Sequence, residues 1–281
     1  MAQDAHQYWS MTEGVFNCLI DEERTEAFKR AIQNTVRKND IVVDMGAGSG
    51  VLTMLALKAG AKKVYAIELD QHNIGPLHEI FRVNNVSDRV TVIHGDVSKI
   101  ELAEEVDVII GEMIATALIE ELQIVATNNL LRFAKKGARI LIKQYSTFLD
   151  LVNNNENYYG QVFKIVRYEY PDLKKLQSKP LSEKSLISDV NFSKMNTNLQ
   201  VNREIKIVAN KKGVINGIRL SGEVTFSDDS KLGATFAFNY PIILPMDSLT
   251  ADIGDIFMVH VKYEMCAGFK TLAYSITQQK K

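Results

Sequence analysis

Residues Val42–Glu68 read VVDMGAGSGVLTMLALKAGAKKVYAIE. An apolar run ends in a glycine-rich turn. A periodic apolar segment follows and closes on Gly60, and a second β-branched run ends on an acid. Asp40–Gly46 therefore reads as a buried strand, Ser49–Gly60 as a helix and Lys63–Leu69 as a second strand. Strand, glycine turn, helix and strand in that order form a βαβ unit. Parallel strands need such a crossover, and its hand is right-handed almost without exception.

Working outward, the same alternation continues. IGPLHEIFRVNN predicts a helix, Arg89–Asp96 a third strand and Val106–Glu112 a fourth. IEELQIVATNNLLRFA predicts a further helix, and Ala138–Val152 begins a fifth strand. Upstream, Asp21 is placed to cap a helix starting at Glu22, whose Phe28, Ile32 and Val36 form one apolar stripe. The expectation is a Rossmann-type doubly wound α/β domain over residues 1–145, preceded within it by an N-terminal helical segment. The texture then changes. After the polar break Asn153–Gly160, segments such as REIKIVANK, GIRLSGEVTFS and IFMVHVKYEMC alternate with a period of two between glycine- and aspartate-bearing turns. Residues 146–281 are expected to form an antiparallel β-barrel-like domain for substrate or dimer contacts. Between its strands lies the charged, proline-punctuated stretch Pro171–Leu186, a loop or short arm.

Composition excludes some classes. The 281 residues carry 33 Lys and Arg against 34 Asp and Glu, a net charge of −1, so no basic footprint for nucleic acid or an anionic membrane is present. Two cysteines, Cys18 and Cys266, make neither a disulfide framework nor a metal-ligand spacing. The polar start MAQDAHQYWS is no signal peptide, and no apolar run reaches the ~20 residues that span a bilayer. A cytoplasmic protein is expected.

In an open α/β sheet the ligand sits beyond the carboxyl ends of the strands. There the sequence places Asp44, Gly46, Gly48 and Gly50 at the first turn, Glu68 at the end of the second strand, and Asp96 with Val97 after the third. The spacing is G-x-G-x-G with an acid before it, not the G-x-G-x-x-G that suits a pyrophosphate on a helix N-terminus. S-adenosylmethionine has no phosphates. Asp44 suits its ammonium, Glu68 its ribose hydroxyls, and the Asp96–Val97 turn its adenine edge. NAD is the alternative, and the charged Asp44 opposes it.

The fourth strand runs into GEMIATALIEE, Gly111–Glu121. Were this stretch one helix, Glu112 and Glu121 would point to opposite faces. A strand-to-loop-to-helix path instead brings both carboxylates to one pocket. Two acids suit a guanidinium, which is planar, permanently charged and rich in N–H donors. The plainer reading is that Glu120 and Glu121 only start a helix, where acids favour the dipole.

These residues together resemble the protein arginine methyltransferases. The Val42–Glu68 stretch resembles their cofactor motif nearly throughout, GEMIATALIEE resembles their double-glutamate loop, and CLIDEERTEAFKRAI resembles their N-terminal helix, in which Arg24 takes the position of the arginine that holds the cofactor carboxylate. The resemblance implies a Rossmann domain followed by a β-barrel, with assembly as a homodimer through an arm. It implies S-adenosyl-L-methionine as cofactor, Glu112 and Glu121 as catalytic residues, and an arginine in a protein or peptide as acceptor. It names no metal. The chain departs from the family in several places. Phe236-Ala237-Phe238 stands where a Thr-His-Trp loop is expected, so Asp21 is expected to lack the histidine it would pair with; Ser98 replaces an adenine-contacting glutamate. Tyr8 and Trp9 take the place of a tyrosine pair and would either fold over the cofactor as a lid or belong to a packed or disordered N-terminus. A methyltransferase for free arginine or another small guanidine or amine fits the same departures. A nucleic-acid methyltransferase fits less well, because Gly-Glu-Met-Ile follows the fourth strand where an Asn/Asp-Pro-Pro-aromatic motif belongs. A non-catalytic module that keeps the cofactor fold is the third reading.

Overall fold

The computed structural model describes residues 12–279; Tyr8 and Trp9 lie outside them. Helices α1 (Thr12–Ile20) and α2 (Glu22–Thr35) lead into an alternation of β1 (Ile41–Met45), α3 (Val51–Ala59), β2 (Lys63–Glu68), α4 (Gln71–Val83), β3 (Val90–His94), β4 (Val106–Gly111), α5 (Gln123–Leu130) and β5 (Ala134–Ile140). The five strands form one sheet in the order β3-β2-β1-β4-β5. All its pairings are parallel. As the near-continuous apolar runs require, β1 and β2 are buried on both faces. The strand order reverses between β1 and β4. Register sets Met45 opposite both Ile67 and Gly111, so the glycine turn, Glu68 and Glu112 all leave from one edge of the sheet.

The expected fifth strand divides in two. β5 stays in the parallel sheet to Ile140, and β6 (Ile142–Asn153) opens an antiparallel sheet. Leu141 serves both, its N–H donating to the Ile109 carbonyl and its carbonyl accepting from Ser227. The apolar run ARILI is continuous through this point, so no change of period marks it. β6 pairs with Gly213–Phe226 and Ser185–Asn191. Gly213–Phe226 also pairs with Ile242–Ala251, and a second antiparallel sheet holds Gln200–Val208, Ile256–Glu264 and Ala273–Gln278. The expected two-part α/β and antiparallel architecture is present.

One apolar core runs through both parts. Helix α2 is the seam. Its fully buried Phe28 meets Phe226 edge-on at 5.0 Å between centroids and Phe238 at 6.3 Å, both from the β part. Among the described residues no helix is long and apolar enough to cross a membrane.

Candidate active site

The first turn is built as its glycines require. Gly46, Gly48 and Gly50 have φ of +70°, +52° and +73°, in the left-handed region that costs other residues energy. Beneath the turn Asp44 is fully buried. Its Oδ2 accepts from the Thr53 hydroxyl at 2.7 Å, whereas Oδ1 is buried with no hydrogen-bond partner. Burial, only partly opposed by the bonds from Thr53, pushes this carboxyl up to about 6. Glu68 is nearly buried and braces the turn. Its Oε2 accepts from the Gly48 amide and its Oε1 from the Asp70 amide, each at 2.8 Å. Each of those oxygens keeps a second lone pair.

The third-strand residues are more self-contained. Asp96 closes a turn on the Ser98 amide and hydroxyl, at 2.9 and 2.7 Å, and pairs with Lys99. Val97 packs its side chain into the core, and its carbonyl accepts from Asn129 at 2.9 Å.

The GEMIATALIEE stretch is neither one helix nor the start of one. β4 ends at Gly111, where φ is +126° and any Cβ would lie 2.4 Å from the Met45 carbonyl. A short 3-10 turn follows at Thr116–Leu118, and α5 starts only at Gln123, so Glu120 and Glu121 lie in the loop before it. The reversal occurs at Ala117 and Leu118, with φ of +62° and +53°. Two successive non-glycine residues in this region are uncommon, and they persist because surrounding contacts over-determine them. The Ala117 amide donates to the Tyr145 hydroxyl, whose own hydrogen goes to Asn239 Oδ1. The Thr116 hydroxyl donates to the Tyr240 carbonyl, and the Leu118 and Ile119 carbonyls accept from Cys266 and Gly268. Gln123 Oε1 takes the Met113 amide at 2.8 Å. Most of these anchors come from the β part. They belong to the site as supports, and no local signal in the sequence marks them.

The loop gathers charge at the sheet edge. Arg24 of α2 reaches Glu112 Oε2 through both Nη2, at 2.6 Å, and Nε, at 3.2 Å. Its Nη1 donates to the Cys18 carbonyl at 3.1 Å, and the guanidinium lies 5.1 Å from the centre of the Phe28 ring. The other Glu112 oxygen accepts from the Ile114 amide. Glu121 joins this group. Burial first, then Glu112 and Glu120, raise its carboxyl to about 8, against the opposing pull of Arg24. A third acid, Glu120, accepts from the hydroxyl of Tyr168. Burial, and then Glu120, keep that phenol protonated far above its usual range. Tyr168 has no local signal in the sequence, and Glu120, whose plainer reading is a helix start, lies instead in the loop beside it.

Asp21 has no histidine among its hydrogen-bond partners, as expected. It is nonetheless fully partnered. Its Oδ1 caps α2 by accepting from the Arg24 amide at 3.0 Å, and its Oδ2 accepts from the Thr235 hydroxyl and, at 2.7 Å, the Ala237 amide. These neutral donors beside Phe236-Ala237-Phe238 let the carboxylate tie the helix carrying Arg24 to the β part.

The family model for ribosomal protein L11 methyltransferase (PrmA) matches residues 23–142. The chain is 32% identical over 234 residues to the protein MJ1452 of Methanocaldococcus jannaschii, covering 83% of this chain and 85% of that one. It is 33% identical over 153 residues to the probable protein arginine N-methyltransferase 6.1 of Oryza sativa subsp. indica; the match takes in 53% of this chain and spans 40% of the rice protein. Among solved structures, the Trypanosoma brucei PRMT1 enzyme–prozyme heterotetrameric complex with AdoHcy superimposes with a TM-score of 0.74, covering 94% of this chain and 96% of that one. At 16% identity that likeness speaks for the fold.

Proposed function

The chain belongs to the protein arginine methyltransferase-like class I S-adenosylmethionine-dependent methyltransferases, and on that premise we propose that it methylates a guanidinium nitrogen of arginine in a protein or peptide. The observation that carries the reading is the reversal at Ala117–Leu118, which brings Glu121 back into the electrostatic reach of Glu112 and Arg24. Free arginine or another small guanidine is the alternative acceptor.

The residues at the sheet edge fit the cofactor. Asp44 Oδ1 is a buried acceptor still lacking a donor, as an ammonium would supply. The open lone pairs of Glu68 suit ribose hydroxyls, the turn at Gly46, Gly48 and Gly50 lets backbone approach closely, and Asp96 with the Val97 backbone stands where the base would lie. Arg24 is the cation for the amino-acid carboxylate. Bound there, S-adenosylmethionine supplies an electrophilic methyl carbon on a sulfonium.

The chain's own residues then act on the acceptor. Arg24, on turning toward the cofactor carboxylate, releases Glu112 Oε2 from its ion pair. Glu112 and Glu121 hold the guanidinium through charge-assisted hydrogen bonds and draw its positive charge toward the nitrogens they contact. The remaining nitrogen keeps its electron pair for attack and is held in line, which contributes several kcal/mol through orientation alone. Once that nitrogen carries the methyl group it must lose a proton. Glu121 is the acceptor suited to take it, because its site already favours the protonated form.

In this reading residues 1–145 take the cofactor and residues 146–281 face the acceptor and a second subunit. The enzyme works in the cytoplasm, consistent with two free, half-buried cysteines. The test is methyl transfer from labelled S-adenosylmethionine to arginine peptides, free arginine and small guanidines, with mass spectrometry locating the label. Glu112→Gln should lower kcat/KM on the preferred guanidine by on the order of a hundredfold or more. Calorimetry should show that S-adenosylhomocysteine still binds. Undiminished turnover in that variant would remove the clamp.

A further inference from the structure

Beyond the acid cluster, the β part presents two hollows that meet at one residue pair. One, of about 250 Å³, has Phe269 and Tyr274 in its wall, and the other, of about 360 Å³, has Tyr170 and Leu176; Arg167 and Tyr168 line both. Tyr168 joins the hollows to the site, because its hydroxyl donates to Glu120 of the acidic loop. Its ring is fixed edge-on to Tyr240 and Phe269, at 6.1 and 6.3 Å between centroids. The backbone of the pair is held as well, since Arg167 and Tyr168 sit opposite Ile243 and Ile242 on the neighbouring strand.

Arg167 is unusual for a cation in such a place. Its Nη1 donates to the Tyr168 carbonyl at 3.2 Å, and its Nη2 to Asn154 Oδ1 at 2.6 Å and the Leu176 carbonyl at 3.0 Å. All three acceptors are neutral. Its Nε–H is buried with no acceptor. Among the described residues no carboxylate makes an ion pair with it. A half-buried guanidinium with an unspent Nε–H and no counter-charge favours an anion, and one oxygen of a carboxylate can take that hydrogen.

The site is therefore bipolar, with acids for a guanidinium at one end and an unpaired cation beyond the Tyr168 wall. We propose that Arg167, walled by Tyr168, forms a subsite for a carboxylate that the acceptor carries beside its guanidine. This rests on the guanidine-methylating reading above and narrows its substrate class. The carboxylate has two sources, an acidic residue next to the target arginine in a peptide or the α-carboxylate of free arginine.

Two matched pairs separate them: a single-arginine peptide with a neighbouring Glu against the same peptide with Gln, and free arginine against agmatine, which lacks the carboxylate. Binding is measured by calorimetry on the full chain with S-adenosylhomocysteine present, and KM by methyl transfer, for wild type, R167Q and R167K. In wild type the carboxylate member of one pair should bind on the order of tenfold more tightly, the effect of one partly buried charge-assisted contact. Whichever pair shows it identifies the source. The ratio should fall toward one in R167Q and persist in part in R167K, which keeps the charge; melting curves confirm that each variant folds. Equal affinities within both pairs in wild type, or an unchanged ratio in both variants, overturns the subsite. If no guanidine is methylated but the carboxylate preference still tracks Arg167, the subsite stands and the activity assignment falls. If arginine is methylated with no such preference, the reverse holds.

Discussion

At the scale of single residues, Glu121 is where environment most changes chemistry. An ordinary glutamate is ionised at neutral pH. Here burial and two neighbouring acids raise the carboxyl to about 8. Below that pH the free site holds a neutral Glu121, which is a weak partner for a guanidinium. kcat/KM, which reports the free enzyme, should therefore climb as pH rises toward about 8 and level off above it. A profile flat from pH 6 to 9 would contradict this. The same shift has a sign for stability. A carboxyl whose proton is held more tightly in the folded state than in the unfolded one stabilises at low pH, and that contribution is lost as pH rises from its ordinary value through the raised one. Glu121→Gln removes the penalty, so its melting temperature relative to wild type should rise between pH 5 and pH 9. Thermal scans at the two pH values measure it. Asp44, raised by the same cause, shows how little the residue type alone reveals: its acid character was legible, its burial and orphaned Oδ1 were not.

At the scale of elements, the strands and helices of the first half follow from local pattern. Asp21 starts α2 where its side chain can cap it, and Gly60 closes α3 in the left-handed conformation. The acidic loop does not follow from local pattern, because its reversal is made by Ala117 and Leu118, which carry no turn signal. That reversal can be tested directly. Ala117→Val puts a β-branched side chain at positive φ and should cost about 1–3 kcal/mol in denaturant unfolding, with a larger loss in kcat/KM than in cofactor affinity. Ala117→Gly should be tolerated. The Asp21 tie makes a second element-level prediction. Thr235→Val leaves a buried carboxylate oxygen with one donor fewer and should cost about 1–3 kcal/mol. It should also raise KM for S-adenosylmethionine, since Asp21 sets the start of the helix that aims Arg24. An unchanged KM would make the tie purely structural.

At the scale of the whole molecule, Pro171–Leu186, expected as a loop or short arm, lies against the β part, where Lys179 and Pro180 pair with Asn153 and Val152. That stretch is tied down. The Ser178 amide donates to Glu169, and Arg219 bridges Glu169 and Asp150. The exposed feature is the preceding hairpin Asn157–Val162 and its continuation, where Tyr159, Val162, Phe163, Ile165 and Val166 show large apolar side chains to solvent. Apolar clusters of this kind mark interaction surfaces. Sedimentation should find a dimer that V162D/I165D converts to monomer without unfolding. A wild-type monomer at micromolar concentration would assign the patch to something else. The sequence by itself determined the parallel α/β half, the glycine turn, the acids beside it and the change to antiparallel strands. Each of these is written in hydrophobic period or in residues whose backbone preferences act over a few positions. Only the tertiary structure decided which acids come within electrostatic reach of one another, that Thr235 and Ala237 are the donors to Asp21, that Tyr168 reaches Glu120, and that Arg167 is left without an ion-pair partner among the described residues. Those contacts join segments far apart in the chain, and such partners become neighbours only after the two parts have packed on a common core.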